Sequence, residues 1–426
     1  MAMNYRTRIA DIILRDKLEA MGAVLIEGPK ACGKTSTAEQ QAKTIVYMDD
    51  PERREYYLNM AQTNIKFLLR GETPLLLDEW QLVPRLWDAI RFEVDHRDGD
   101  GQFILTGSAV PADVSKITHS GAGRFGWVTM RTMSLWESGD SNGAISLAAL
   151  FARQVDVWAK ANGTLERMAF LVCRGGWPKA IMKKTEKAAL MQVDEYYQAI
   201  TRSDISRVDN VSRNPERAQR LMRSYARHQG SQASIPAILK DIAANESSEI
   251  SDMTVESYLD ALRKIFIVED MPAWNPNLRS KAAIRSSDTR YFADSSLATA
   301  ALGIGPNDLM NDLNTFGLLF ETMAVHDLRV YADAIDGRVY HYRDSNGLEC
   351  DAVVHLRNGS YGLVEIKLGG ETSIEEAATS LKKLREKIDT TRMKAPSFLM
   401  VLTAVGAFAY QRHDGVLVVP INCLKD

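Results

Sequence analysis

The spacing of apolar residues changes period along the chain, and the changes mark its parts. Over roughly the first 135 residues, short apolar runs alternate with stretches of helical spacing. Ala23-Val24-Leu25-Ile26 is an apolar run leading into Gly28, and a helix is predicted from Lys34 to about Lys43. Thr44 to Met48 reads as a second strand, residues 52–70 as helical, and Leu75-Leu76-Leu77 as a strand running into acids. Leu82 to Val94 has helical spacing, and Gln102 to Leu105 is again strand-like. Short apolar strands separated by helices predict a parallel sheet buried on both faces.

From about residue 150 to 230 the period is mainly helical, broken at Arg174-Gly175-Gly176-Trp177-Pro178. Short helices over 231–275 then lead into a strand-like Ile265-Phe266-Ile267-Val268, which suits a small winged-helix unit. Pro272, Asn275-Pro276 and the basic stretch after them suggest a linker. Beyond about residue 290 a second α/β pattern begins. It comprises a helix from Leu313 to Tyr331, then strands near Arg338–Arg343, Glu349–His355 and Tyr361–Ile366. A charged helix over Ile374–Ile388 and strands at Phe398–Leu402 and Val416–Val419 complete it. The expected division is an α/β domain over 1–150, a helical region over 151–230, a winged-helix-like domain over 231–285 and a second α/β domain over 286–426.

Composition narrows the class. The 426 residues suggest about three domains at ~150 residues each. With 45% hydrophobic and 25% charged residues, the chain is neither disordered nor fibrous. Lys+Arg is 52 and Asp+Glu is 55, a net charge of -3, which excludes a globally basic nucleic-acid coat but not a local patch. Cys32, Cys173, Cys350 and Cys423 are scattered without a C-x-x-C pair, so neither a disulfide scaffold nor a zinc ribbon is expected. No segment approaches the ~18 apolar residues of a membrane span. The first residues lack a signal-peptide apolar region. A cytoplasmic protein without a membrane partner is expected.

The strongest chemical signal is Gly28-Pro29-Lys30-Ala31-Cys32-Gly33-Lys34-Thr35, which fits G-x-x-x-x-G-K-[ST] between a strand and a helix. Glycines let the backbone curl its N–H groups around a phosphate, and the following helix turns its positive end toward the anion. Lys34 is expected to reach the β- and γ-phosphates, and the Thr35 hydroxyl to ligate Mg²⁺. The nucleotide-binding set is therefore Gly28, Pro29, Lys30, Ala31, Cys32, Gly33, Lys34, Thr35 and Ser36. At the end of the Leu75–Leu77 strand, Asp78 is a candidate Mg²⁺ ligand and Glu79 a candidate for polarising the attacking water. An adjacent strand would bring Asp78 beside the loop. Ile104-Leu105-Thr106-Gly107-Ser108 ends in small hydroxyls, and Thr106 or Ser108 is expected to touch the γ-phosphate or the water. Arg124, in Gly121-Ala122-Gly123-Arg124-Phe125, is a candidate finger for a neighbouring subunit's nucleotide.

A second constellation lies near the C-terminus. Asp351 falls on one predicted strand, and Glu365-Ile366-Lys367 on the next. Strand residues two apart share a face, so Glu365 and Lys367 point the same way. Asp351 and Glu365 could share a divalent metal, with Lys367 beside them and Glu321 of the preceding helix as a fourth member. The chemistry implied is metal-assisted phosphodiester hydrolysis.

The whole order of motifs resembles the bacterial and archaeal AAA-type P-loop ATPases that carry a C-terminal domain of unknown function with a restriction-endonuclease-like fold. The resemblance rests on the phosphate loop, Leu-Leu-Leu-Asp-Glu-Trp-Gln at 75–81, Ile-Leu-Thr-Gly-Ser at 104–108, Gly-Arg-Phe at 123–125 and Ser134-Leu135-Trp136-Glu137. Arg174-Gly175-Gly176-Trp177-Pro178, Arg202-Ser203-Asp204-Ile205, Pro272-Ala273-Trp274, Arg290-Tyr291-Phe292-Ala293-Asp294 and Phe320-Glu321 continue it. It implies an AAA-like nucleotide switch that uses ATP, works as a homo-oligomer such as a ring, and ends in a nuclease-like domain. Thr289-Arg290 stand where the family often has Pro-Lys.

Residues 202–227 hold seven arginines, Arg202, Arg207, Arg213, Arg217, Arg220, Arg223 and Arg227, against three acids. Arg279, Lys281, Arg285 and Arg290 form a second basic cluster. Such patches beside a winged helix suit a DNA backbone. Two readings follow. In one, ATP hydrolysis drives or licenses DNA cleavage by Glu321, Asp351, Glu365 and Lys367. In the other, the protein is an ATP-driven switch or scaffold whose nuclease-like domain is non-catalytic and binds a partner.

Overall fold

A computed structural model describes residues 5–109, 120–153, 157–209, 211–243, 251–275 and 287–426. They divide into two compact units that are not colinear with the chain. The first comprises Met1–Thr132, Arg202–Asn214 and Asp260–Ile267, and the second Met133–Thr201, Pro215–Leu259 and Val268–Asp426.

The first unit is built on five strands: β1 (Ala23–Glu27), β2 (Thr44–Tyr47), β3 (Leu75–Asp78), β4 (Phe103–Gly107) and β5 (Phe125–Thr129). All pairings are parallel, in the order β2-β3-β4-β1-β5. Successive side chains point to opposite faces, and in the inner strands β1, β3 and β4 both faces are covered, which is why these are nearly all apolar, whereas the edge strands β2 and β5 keep exposed positions. Leu25, Leu75, Leu77 and Leu105 pack on one side with Trp80, Trp87 and Ile90. Val24, Ile26, Leu76, Ile104 and Val128 pack on the other with Leu14, Leu18 and Ala38. The sequence reading placed the Asp78 strand directly beside the phosphate-loop strand. In the fold β4 lies between them, because β1 pairs with β4 and β5 while β3 pairs with β2 and β4. The helix expected over 34–43 is shorter, Lys34–Glu39, because Lys43 already donates to the Pro74 carbonyl at 2.9 Å on the way into β2.

The second unit contains β6 (Ile145–Ser146), β7 (Trp158–Lys160), β8 (Gly337–Arg343), β9 (Glu349–Leu356), β10 (Tyr361–Lys367), β11 (Leu399–Thr403), β12 (Phe408–Gln411), β13 (Leu417–Pro420) and β14 (Leu424–Lys425). Seven of these form a mixed sheet in the order β7-β12-β13-β11-β10-β9-β8. Strands β8, β9 and β10 are an antiparallel meander. The helix Glu371–Lys387 then crosses over to β11, which lies parallel to β10. Val353, Leu363 and Val401 pack against Ala377, Ala378, Leu381 and Leu384 of that helix. Strand β7 adds an edge from a stretch expected to be helical; three residues are too few to show a period of two. Strand β6 pairs with β14.

The strand expected at Ile265–Val268 does not form. The helix Asp252–Lys264 is closed by Phe266 in the left-handed region (φ 59°), with the Ile267 amide donating to the Leu262 carbonyl at 2.9 Å. Among the described residues only single bridges follow, Val268 with Phe292 and Met271 with Thr289 antiparallel, and Ala273 with His341 parallel. Arg279, Lys281 and Arg285 lie outside the described residues. Among those described, no helix is long and apolar enough to cross a membrane. All four cysteines are free and buried.

Two sequence motifs far apart meet in this unit. The Gly176 amide donates to Asp294 Oδ2 at 2.9 Å, and the Trp177 indole N–H donates to Ser296 Oγ at 3.0 Å. Gly175 has φ 64°, and a Cβ there would overlap the Asp294 carboxylate. We expect Gly175→Ala to destabilise the protein by about 2 kcal/mol or more, through left-handed strain plus the clash. Chemical denaturation followed by tryptophan fluorescence checks this; an unchanged midpoint would contradict it.

Candidate functional site

Parallel strands bring their C-terminal ends to one edge of a sheet, and in the first unit that edge collects the candidate chemistry. β1 ends at Glu27 and the chain turns at Gly28, where a Cβ would overlap the Met130 carbonyl. Gly33 (φ 109°) and Ala31 (φ 64°) complete the curl before the helix Lys34–Glu39. Lys34 is 5% exposed, and its ammonium donates to the carbonyls of Gly28 and Pro29, both at 2.9 Å. Its charge therefore lies inside the curl rather than in solvent.

Two supports of this loop were not foreseen. Arg8 is 3% exposed and donates to the carbonyl of Cys32 at 2.9 Å and of Arg131 at 3.0 Å, tying the loop to the end of β5. Nothing in the sequence marks an arginine ahead of an amphipathic helix as buried. Lys30 is largely exposed, yet its ammonium lies 3.7 Å from Asp204, which closes the π-helical turn Ile200–Asp204.

Asp78 and Glu79 follow β3 and divide the hydroxyls at the end of β4 between them. Asp78 Oδ1 accepts the Thr35 hydroxyl at 2.7 Å and also the Thr106 hydroxyl. Burial pushes the Asp78 carboxyl up from its ordinary range, and the Thr106 and Thr35 hydrogen bonds pull it back. Glu79 sits in the left-handed region (φ 54°), which turns its side chain away from that of Asp78. Its Oε2 accepts the Ser108 hydroxyl at 2.8 Å and the side-chain amide of Gln81. Thus Thr106 serves Asp78 and Ser108 serves Glu79, a choice the sequence left open.

Arg124 lies at the other edge. It precedes Phe125, which pairs with Ala23 at the start of β1. Five residues at ~3.3 Å each separate that edge from the phosphate loop. Its guanidinium is 43% exposed and pairs with Asp95 at 2.9 Å. It does not reach the loop of its own chain.

Residues 21–138 match the AAA domain family. The protein is an ATPase. Residues 165–308 and 316–424 of this ATPase match two domains of unknown function, DUF8612 and DUF4143. Two uncharacterized proteins, from Mycobacterium tuberculosis and Mycobacterium bovis, are each 24% identical over 380 residues, covering 89% of this chain and 77% of their own. Among solved structures, the Walker-type ATPase PABY2304 of Pyrococcus abyssi is 15% identical, covering 68% of this chain and 94% of its own, with a TM-score of 0.43. The Orc1 protein of Aeropyrum pernix, solved in complex with DNA, is 12% identical, covering 70% and 92%, with a TM-score of 0.24.

The second constellation also assembles. Asp351 on β9 neighbours Ala352, whose partner across the ladder is Val364, so Glu365 on β10 falls beside it. The Lys367 ammonium lies 3.1 Å from Asp351 Oδ2 and 2.9 Å from Glu365 Oε2. The Ile366 amide donates to Asp351 at 2.7 Å. The Tyr291 hydroxyl donates to Glu321 of the helix Leu313–Asp333. Burial first, and then the Asp351 charge, push Glu321 and Glu365 up to about 8. Burial disfavours the Lys367 ammonium, but the two acids outweigh it and hold the proton on. Lys367 thus stands between the carboxylates where a shared metal was expected. Among the described residues no group of three or more His, Cys, Asp or Glu side chains is placed to hold a metal ion.

Gly230, Tyr291, Glu321, His341, Arg343 and Asp351 line a polar cavity of about 40 Å³. It has room for a few water-sized groups. Arg290, the departure from the family pattern, pairs with Asp270 at 2.7 Å and donates to the Ala233 carbonyl at 3.0 Å. The arginine run is divided: Arg202, Arg207 and Arg213 belong to the first unit, and Arg217, Arg220, Arg223 and Arg227 to the second. Arg213 is held bidentately by Asp209 at 2.7 and 2.9 Å, and Arg227 by Asp241 at 2.7 Å.

Arg8→Leu removes the donor to the Cys32 carbonyl of the loop and to the Arg131 carbonyl after β5. We expect it to lower stability by about 1–3 kcal/mol and to weaken ATP binding, as read by thermal unfolding and fluorescent-nucleotide titration. Parental affinity in Arg8→Leu would show that the loop needs no such tie.

Proposed function

We propose that this ATPase uses Mg²⁺ and that hydrolysis at the phosphate loop drives a C-terminal domain of nuclease-like architecture acting on DNA. The observation that carries the first part is the junction of Thr35, Asp78 and Thr106 beside a separate Glu79–Ser108 pair. A hydroxyl and a carboxylate 2.7 Å apart are a hard-oxygen donor pair suited to Mg²⁺. Thr35 and Asp78 would hold it, and when bound it would neutralise charge on the β- and γ-phosphates. Lys34 exchanges its carbonyl partners for phosphate oxygens. Glu79 takes the proton of the attacking water, and Ser108 keeps its carboxylate aimed. Arg124 stands at the far end of the strands from its own loop and pairs with Asp95, so its role as a finger belongs to an adjacent copy in a homo-oligomer.

For the second unit, the order helix-Glu321, strand-Asp351, strand-Glu365-x-Lys367 supports a phosphodiester-cleaving set of the restriction-endonuclease type. The helices Ile235–Ala243 and Asp252–Lys264 suit the winged-helix reading of 231–285, and the exposed Arg220, Arg223 and Arg227 suit a phosphate backbone. A second reading is favoured by the Lys367 bridge. An ammonium held by both acids makes a stable salt-bridged core, and the domain then binds a partner without cutting while ATP turnover switches it.

Two measurements test this. Glu79→Gln should bind ATP like the parent and hydrolyse it about a hundredfold slower, whereas Lys34→Ala should lose binding. Parental turnover in Glu79→Gln removes the role of Glu79. Supercoiled plasmid with Mg²⁺ or Mn²⁺ should be nicked by the parent and not by Lys367→Ala or Asp351→Ala. No nicking by the parent with ATP, ADP or no nucleotide selects the switch.

A further inference from the structure

Gln81 is a polar group of the ATPase site to which the roles above give no task. Trp80-Gln81-Leu82 form a tight 3₁₀ turn directly after Glu79. The left-handed conformation of Glu79 starts that turn, and the Leu82 amide donates back to the Glu79 carbonyl at 3.1 Å. Gln81 is thereby folded against the carboxylate of Glu79. Its Nε2 donates to Glu79 Oε2 and lies 3.5 Å from Ser108 Oγ. An amide facing a carboxylate must present its N–H, because its carbonyl would be repelled. That fixes which way the other end points. Gln81 Oε1 is buried and accepts no hydrogen bond among the described residues. It lies over Gly107, where a Cβ would come 3.2 Å from it and 3.1 Å from the Trp80 indole nitrogen.

Buried amide oxygens are nearly always given a donor. Here the oxygen sits beside the carboxylate that handles the attacking water. Glu79 Oε2 already takes two donors, Ser108 and Gln81, which leaves Oε1 of Glu79 for the water. We propose that Gln81 Oε1 is the second acceptor that orients this water. The inference rests on the reading of Glu79 as the base. One O–H of the water points to Glu79 Oε1 and the other to Gln81 Oε1, so a lone pair faces the γ-phosphorus. The new P–O bond forms from that lone pair. The bond to the β,γ-bridging oxygen breaks with its electrons leaving on ADP, and the proton passes to Glu79. Gln81 is unchanged throughout. Holding the water by two acceptors supplies orientation, a term that geometry alone can make worth about a hundredfold in rate.

The test uses the full chain with Mg²⁺ and ATP. Gln81→Met keeps the length of the side chain and removes both its donor and its acceptor. Its kcat should fall about tenfold to a hundredfold, while ATP affinity and the thermal midpoint stay close to parental. The double variant Glu79→Gln with Gln81→Met should be little slower than Glu79→Gln alone, because both act on one water. Parental kcat in Gln81→Met overturns the proposal, and so does a loss of kcat matched by an equal loss of ATP affinity. If Gln81→Met does not fold, Gln81→Leu decides, since it also removes the amide oxygen: a slow kcat with intact binding supports the role and a parental kcat ends it. Glu79→Gln run alongside separates the two levels. Fast Glu79→Gln sinks the base itself, while slow Glu79→Gln with fast Gln81→Met sinks only the water-orienting role.

Discussion

The hydrogen bond from Thr35 to Asp78 spans a whole strand. Thr35 stands in the first turn of the helix that follows the phosphate loop after β1, and Asp78 at the end of β3, with β4 between the two strands. It closes only because the three strands are parallel and in register, so their ends arrive level at one edge. Thr106, at the end of the intervening strand, completes the junction by donating to the same carboxylate oxygen. The sheet is in this sense a ruler for two hydroxyls and an acid. The apolar packing of both its faces holds that ruler rigid.

Both candidate sites keep carboxylates out of water, and they do it differently. Asp78 is surrounded by hydroxyl donors that carry no charge, which leaves its own charge available to a cation. Glu321, Asp351 and Glu365 crowd together, and burial with mutual repulsion pushes the pKa of Glu321 and Glu365 up. Lys367 relieves that crowding directly, by lying within 3.1 Å of two acids. A cation entering this second site therefore has to displace or share the lysine, whereas one entering the first meets no resident charge between its donors.

The division of the chain gives the ATPase unit two outlying pieces. Arg202–Asn214 and Asp260–Ile267 belong with the first 132 residues, although each is flanked by chain of the second unit. One carries Asp204, opposite the phosphate-loop Lys30, and its Asp209 is paired with Arg213 and lies 3.8 Å from Lys264 of the other. The piece Arg202–Asn214 thus sets one charge, that of Asp204, against the phosphate loop.

Much of this protein was legible in its residues. The apolar strands, the phosphate loop, the acids at 78 and 79 and the Glu365-x-Lys367 pair are local patterns, set by the two-residue repeat of a strand and the conformational freedom of glycine. The sequence alone therefore determined which strands are buried and at which strand ends and positions the candidate side chains stand. It could not decide strand order, because parallel crossovers leave no mark on the residues they connect, and so β4 between β1 and β3 was unforeseen. The partition of Thr106 to Asp78 and Ser108 to Glu79, the burial of Arg8, and the return of Gln81 onto Glu79 were likewise decided by tertiary structure. Each depends on distances between residues that are remote in sequence or on one left-handed backbone angle, and neither leaves a period to read.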